Sequence, residues 1–111
     1  MTDATPYGGA WTGDLDDMVE FAKDGIVSKT IVDEGPTKVV LFSFAQGQSL
    51  SEHTAGVPAS IHVLHGRASV LLGDERYEAK PGSYIHMPAN LRHAVDALEN
   101  MVFLLTLHRG G

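Results

Sequence analysis

The chain has 111 residues, of which 43% are hydrophobic and 20% charged, as expected for one globular domain with a single core. Its formal charge of −6 makes a nucleic acid or an anionic membrane surface an unexpected partner. The absence of cysteine excludes disulfides, thiol nucleophiles and cysteine-based zinc sites. No apolar stretch approaches the ~20 residues of a membrane span, and the first residues lack a signal-peptide pattern, so a cytoplasmic location is expected.

The N-terminal region is predicted to contain a flexible arm followed by a short helix. Glycine and proline interrupt any periodic pattern over residues 1–13, which predicts the arm. Leu15, Met18 and Val19 then recur at helical spacing. The acidic residues beside them would interact favourably with the positive N-terminal end of a helix dipole. Gly25 is expected to end this helix. With only about two turns, it must pack against the rest of the protein to persist.

From residue 26 onward the sequence consists of short apolar or β-branched segments separated by turn residues. Strands are predicted at 26–32, 38–44, 61–64, 68–72, 76–79, 83–87, 93–97 and 101–107. Roughly eight or nine strands at intervals of about 8–12 residues are typical of an all-β barrel or sandwich. Residues 14–111 are therefore predicted to form a single all-β domain.

Two frames of glycine and histidine lie within this β-rich region. Their fixed positions are Gly47, His53 and Gly66 in the first frame and Gly82, Pro88 and His93 in the second. The spacings resemble the two motifs of the cupin superfamily. In that family the motifs supply two histidines, a glutamate and a third histidine, which hold one metal inside a small β-barrel.

The resemblance covers residues 38–107 and looks closest to small single-domain bacterial cupin-2 proteins of unassigned function, with the RmlC-like fold. It implies a small double-stranded β-helix, the jelly-roll barrel of cupins, with the short N-terminal helix attached. Asn90 stands where the second motif has its second glycine. Asparagine adopts positive φ more readily than most residues, so the turn is expected to be retained.

The metal ligands of the family are only partly retained. His53 and His93 stand at two ligand positions, whereas Ala55 and Ala59 stand at the second histidine and the glutamate positions. Two imidazoles alone bind a divalent metal poorly. The two-histidine, one-carboxylate set of non-haem iron sites is not visible in the sequence.

His62 is the candidate that would complete a three-histidine site with His53 and His93. If Ala59 faces the lumen in a regular strand, His62 points away from it. If Ser60 faces the lumen instead, or a bulge intervenes, His62 joins the other two histidines. Such a site would suit one divalent transition metal, such as Zn, Fe, Ni, Mn or Cu.

Large apolar and aromatic side chains have two interpretations, either as pocket lining or simply as core. These residues are Trp11, Phe42, Phe44, Met87 and Phe103. The hydroxyl of Tyr84 is a candidate for the rim of such a pocket.

The resemblance leaves several functions open. The first is a small-molecule-binding or metal-dependent cupin with its site around His53 and His93, which includes dioxygenase, isomerase or lyase chemistry. Without metal, the two imidazoles would act as general acid and base. The alternatives are a metal-free ligand-binding or sensor module, its lumen enlarged by Ala55 and Ala59, and a solidly packed structural barrel. Whether the protein is an enzyme stays open. A homodimer is expected, because cupins of this size commonly pair.

Overall fold

The computed structural model describes residues 9–110, in which a single 3-10 turn at Leu15–Met18 precedes nine β-strands. The strands are β1 (Ile26–Glu34), β2 (Thr37–Phe44), β3 (Ser49–His53), β4 (Ala59–His65), β5 (Ala68–Leu72), β6 (Glu75–Ala79), β7 (Tyr84–Met87), β8 (His93–Ala97) and β9 (Met101–His108). The predicted all-β class is confirmed. β3 lies outside the strands predicted from apolar segments, because its residues are mostly polar. In this range no helix is long and apolar enough to cross a membrane.

The strands form two antiparallel sheets. The five-stranded sheet has the order β1-β2-β9-β4-β7, and the four-stranded sheet has the order β3-β8-β5-β6. Consecutive strands such as β2 and β3, β3 and β4, or β4 and β5 lie in different sheets, so the chain repeatedly crosses between the two layers. This is the double-stranded β-helix that the cupin resemblance implies.

The main hydrophobic core fills the space between the two sheets. Phe44 and Phe103 are fully buried, and Phe42 stacks on Phe103 with 5.1 Å between the ring centroids. Phe42 and Phe44 face the same way because alternate residues of a strand share a face. Met87 is buried in the same cluster. These four candidates for pocket lining are therefore core residues of the barrel.

The outer face of the five-stranded sheet carries a second, smaller hydrophobic cluster. Its buried members are Ile31, Leu41 and Val102, and the N-terminal segment packs against them through residues that include Trp11 and Leu15. Trp11 therefore covers the outside of the barrel and does not line its lumen.

The predicted helix is only one 3-10 turn. Asp14 makes no side-chain capping hydrogen bond, and Val19 is already extended, with φ −66° and ψ 131°. Leu15 and Met18 still reach the sheet, because a spacing of three residues also brings side chains to one side of a 3-10 helix. Packing on the sheet thus determines the path of this segment. Residues 1–8 of the predicted arm lie outside the described residues.

The turn residues of the two frames have the backbone conformation that their identity favours. Gly47, Gly66 and Gly82 have φ values of 86°, 75° and 92°. Asn90 has φ 68°, which confirms the expectation that asparagine retains the turn of the second motif. These positions fix where strands end and where the chain changes sheet.

A polar network on the outer face of the four-stranded sheet links all four of its strands. The Ser49 hydroxyl donates to Asp96 at 2.5 Å, and Arg76 donates to Asp96 at 2.9 Å and to Ser69 at 3.1 Å. The hydrogen bond from Ser49 lowers the pKa of Asp96 from its ordinary value of 3.8. Partial burial opposes this effect, and the Arg76 guanidinium lowers the pKa further.

We expect the Asp96→Asn variant to lose a pH-dependent part of the protein's stability. Because the folded-state pKa of Asp96 is depressed, its carboxylate stabilises the fold above the unfolded value of 3.8. This contribution is lost as the pH falls through the lower folded-state pKa. The Asp96 side chain is 39% exposed, so solvent screening limits the effect at neutral pH to about 1 kcal/mol or less.

Urea unfolding of both proteins at about pH 7 and about pH 2 measures this contribution. The difference in unfolding free energy between wild type and variant should shrink at the lower pH. A Glu99→Gln variant, which removes an exposed carboxylate elsewhere, should differ little from wild type at either pH. An equal loss in Asp96→Asn at both pH values would contradict the linkage.

Candidate functional site

His53 and His93 lie side by side on the inner face of the four-stranded sheet. They are cross-strand partners in the β3–β8 pair, and their ring centroids are 4.1 Å apart with an angle of 59° between the rings. His93 is only 7% exposed, whereas His53, at the end of β3, is exposed to solvent. The pair thus joins the barrel interior to the surface at one end.

A β-bulge in β3 places His53 on the inner face. Leu50 pairs with Val95 and His53 pairs with His93, so three residue steps on β3 match two on β8. Strict alternation would have put Leu50 and His53 on opposite faces. The extra residue brings both to the side that faces the core. Nothing in the sequence pattern signals this bulge.

Both imidazoles are held by the same kind of hydrogen bond. Nδ1 of His53 donates to the carbonyl oxygen of Ser51 at 2.7 Å, and Nδ1 of His93 donates to that of Leu91 at 2.9 Å. A carbonyl oxygen can only accept, so in each neutral ring the hydrogen is on Nδ1 and Nε2 carries the lone pair. The arrangement orients two Nε2 atoms that can accept a proton or a hydrogen bond, or bind a metal.

His62 does not join this pair. Ala59 and Ile61 are buried in the core from the inner face of β4, so His62 points to the outer face, where it is exposed. Its ring lies 6.3 Å from that of Tyr84. The register shift in β4 falls after Val63, too late to turn His62 inward. The three-histidine set predicted from His53, His62 and His93 is therefore not assembled.

The other candidates near the histidine pair are also accounted for. Glu52, a possible partner for a histidine, instead approaches Arg92 at 3.7 Å. Ala55 lies beyond the end of β3, and its carbonyl accepts the Asn90 N–H at 2.7 Å. His65 at the end of β4 binds Asp16 of the N-terminal turn at 2.7 Å. None of these contacts adds a ligand to the pair.

The donor set does not fit the four-ligand metal centre of the cupin motifs. Two imidazole nitrogens are available, but Ala55 and Ala59 offer only methyl groups where the motifs have a histidine and a glutamate. No group of three or more metal-binding side chains occurs within residues 9–110. On the side away from His53, the cross-strand partner of His93 is the apolar residue Leu72, which supplies no ligand.

Two stacked antiparallel sheets with a histidine pair between them define a barrel of the cupin type. The family model described as cupin domain (Cupin_2) matches residues 40–107, and the chain belongs to this family. The predicted membership of the cupin family is thereby confirmed. A search of curated proteins finds no match to this sequence.

Solved structures similar to this chain agree with that assignment. A conserved protein of unknown function from Streptococcus pyogenes, SPY1581, is 28% identical, with a TM-score of 0.84 over 100% of this chain and 97% of that one. An RmlC-like cupin from Desulfovibrio desulfuricans is 26% identical, with a TM-score of 0.81 over 90% and 97% of the two chains. A cupin 2 conserved barrel protein from Leptotrichia buccalis is 33% identical, with a TM-score of 0.79 over 85% of this chain and 46% of that one.

Proposed function

We propose that this cupin binds a small organic molecule at the His53–His93 pair without a resident metal. The observation that carries the proposal is the hydrogen-bonding pattern that the two rings share. Each Nδ1 donates to a backbone carbonyl, which leaves a lone pair on each Nε2. An imidazole Nε2 with a lone pair accepts a hydrogen bond, and a ligand hydroxyl or N–H would supply the donor.

The chemistry available to the pair is hydrogen bonding and proton transfer. Imidazole can accept a proton from an acidic O–H or C–H group and return it, which is general acid–base catalysis. The two rings differ in environment, because His93 is buried and His53 is exposed. In this proposal His93 binds the ligand within the barrel, and His53 exchanges protons with solvent.

The test uses phenol as the probe, a neutral planar molecule with one O–H group. Spectra of ¹⁵N-labelled histidine side chains report directly on each ring nitrogen. We expect phenol to shift the Nε2 signals of His53 and His93 saturably, with a dissociation constant of roughly millimolar order for so small a ligand. The Nδ1 signals should move less, because backbone carbonyls already hold these atoms.

Three variants make this test specific. His53→Ala should weaken the phenol effect on His93, and His93→Gln should do the same for His53. His65→Ala is the matched control, since that imidazole is exposed and contacts Asp16 of the N-terminal turn; it should leave both shifts unchanged. If the Nε2 signals do not respond to phenol in the wild-type protein, the proposal is wrong.

A metal-dependent cupin is the second candidate, and one observation favours it. Histidines that bind metals usually donate their other ring N–H to a carbonyl or carboxylate, as both of these do. Titration of the same labelled protein with Zn²⁺ separates the candidates. Stoichiometric uptake that His53→Ala abolishes would support the metal site, whereas weak, non-stoichiometric uptake would support the metal-free proposal.

The expected assembly and location remain predictions. We propose a homodimer, which would supplement the core of so short a chain. The formal net charge of −6 supports the expectation that neither a nucleic acid nor a membrane is a partner. A cytoplasmic location is proposed on the sequence arguments alone.

A further inference from the structure

The two sheets present free edges to each other where β6 turns into β7. Among the described strands, β6 pairs only with β5 and β7 pairs only with β4, so each ends its sheet. The chain passes from one edge to the other through the turn at residues 80–83. Between the edges lies a cleft of about 320 Å³, which is here called the seam cleft. Its volume falls at the lower end of the range of small-molecule sites.

The floor of the seam cleft is apolar and continuous with the barrel core. Leu72, Ala79 and Ile85 line it. Ala79 is a buried member of the main core, and Leu72 and Ile85 pack against that core while remaining partly accessible. At the seam, apolar side chains that pack against the core are therefore partly exposed to solvent, at a place separate from the exposed His53.

The rim of the seam cleft carries polar aromatic side chains from both sheets. Tyr77 of β6 is 49% exposed and Tyr84 of β7 is 66% exposed, and His86 lies beside Tyr84 on the same wall. Exposed tyrosines offer flat faces for stacking and hydroxyls for hydrogen bonds. The sequence offered Tyr84 as a rim residue of a pocket in the barrel lumen, whereas the structure places it at the seam cleft. Nothing in the sequence indicated Tyr77.

The charge at the cleft is balanced. Glu78, which also lines it, forms an ion pair with Arg67. A neutral ligand therefore suits the cleft better than a strongly charged one, because no unpaired charge on this wall would attract it.

The seam cleft lies next to the histidine pair. Leu72 of the floor is the cross-strand partner of His93, and directly opposed side chains on neighbouring strands are about 5 Å apart at Cβ. The His93 imidazole is thus separated from the cleft by the Leu72 side chain alone along this row of the sheet.

We propose that the seam cleft binds a neutral, planar aromatic molecule that carries a hydroxyl group, with Tyr77 and Tyr84 against its ring and its hydroxyl directed past Leu72 to His93. The contact with His93 rests on the proposed function above, whereas binding in the cleft does not. The tyrosine rim selects for a flat ring, and the apolar floor excludes strongly polar molecules of the same size.

Phenol titration followed in amide and methyl NMR spectra tests this assignment. Saturable shifts are expected at Leu72, Ala79 and Ile85. Tyr77→Ala should weaken binding by roughly three- to tenfold through the lost ring contact. Tyr77→Phe, which keeps the ring, should stay within about twofold of wild type. Phe21→Ala is the matched control, since it removes an exposed aromatic ring that does not line the seam cleft.

The outcomes separate this inference from the proposed function. Shifts at the cleft residues without a response of His93 Nε2 would support the seam cleft and contradict the histidine site. A response of His93 Nε2 without shifts at Ala79 and Ile85 would overturn the seam cleft and leave the histidine site intact. Binding that survives Tyr77→Ala and Tyr84→Ala at full strength would also overturn it. Because both tyrosines are exposed, their variants are expected to fold.

Discussion

The Gly66→Ala variant is expected to lose about 3 kcal/mol or more of unfolding free energy. Gly66 has φ 75°, a conformation that costs a residue with a Cβ about 1–2 kcal/mol. A Cβ at this position would also press on the carbonyl oxygen of Asn100 and lie 2.8 Å from the Cα of Met101. These are backbone atoms where β9 begins, so they cannot rotate aside as a flexible side chain would.

Urea unfolding measures this loss, and Gly82→Ala is its matched control. Gly82 has φ 92°, so its substitution introduces similar backbone strain. An added Cβ there has no other atom within 4 Å, so no steric clash is added. We expect Gly82→Ala to lose only about 1–2 kcal/mol. Equal losses in the two variants would show that the close approach at Gly66 has no energetic effect.

Replacing Phe103 with alanine should destabilise the protein by about 3–5 kcal/mol. Its side chain is 1% exposed and lies on β9, the central strand of the five-stranded sheet. Its ring centroid is 5.1 Å from that of Phe42 and 5.5 Å from that of Phe44. The substitution removes these contacts and leaves a cavity that the surrounding β-strands are too constrained to fill.

The same urea measurement on Phe21→Ala provides the comparison. Phe21 is 41% exposed, so its removal should change the unfolding free energy by no more than about 0.5 kcal/mol. A small effect of Phe103→Ala would mean that the barrel interior is loosely filled, contrary to the packing described above. The Phe103 result therefore also bears on the proposed ligand sites, because a filled core leaves only the histidine end and the seam cleft for them.

The fold was accessible from the sequence because its determinants are local. Short β-branched segments, and glycines at positions that require positive φ, mark the ends of most strands along the chain. Asn90 shows how specific this information is, since its predicted positive φ was found. The N-terminal helix was less predictable. Its apolar spacing correctly predicted that one side of the segment packs on the sheet. Contact with the sheet favoured one 3-10 turn over two α-helical turns.

The site was only half predictable, because strand register is not a local property. His53 and His93 could be paired from the two motifs, and the structure places them together. The direction of His62 depended on which residues of β4 meet the core, and regular alternation from Ala59 sends it outward. The bulge before His53 matters for the site, whereas the register shift in β4, after Val63, comes too late to affect His62.

The sequence by itself determined the all-β class, the cupin barrel and the two histidine positions. Turn residues, and the alternation of side chains along a strand, depend only on residues that are close together in the chain. It also determined that Ala55 and Ala59 cannot act as ligands. Only the tertiary structure decided that His62 lies outside, that both Nδ1 atoms are bonded to backbone carbonyls, and that a cleft opens between β6 and β7. These features arise where residues distant along the chain meet, and their geometry depends on the register and packing of two whole sheets.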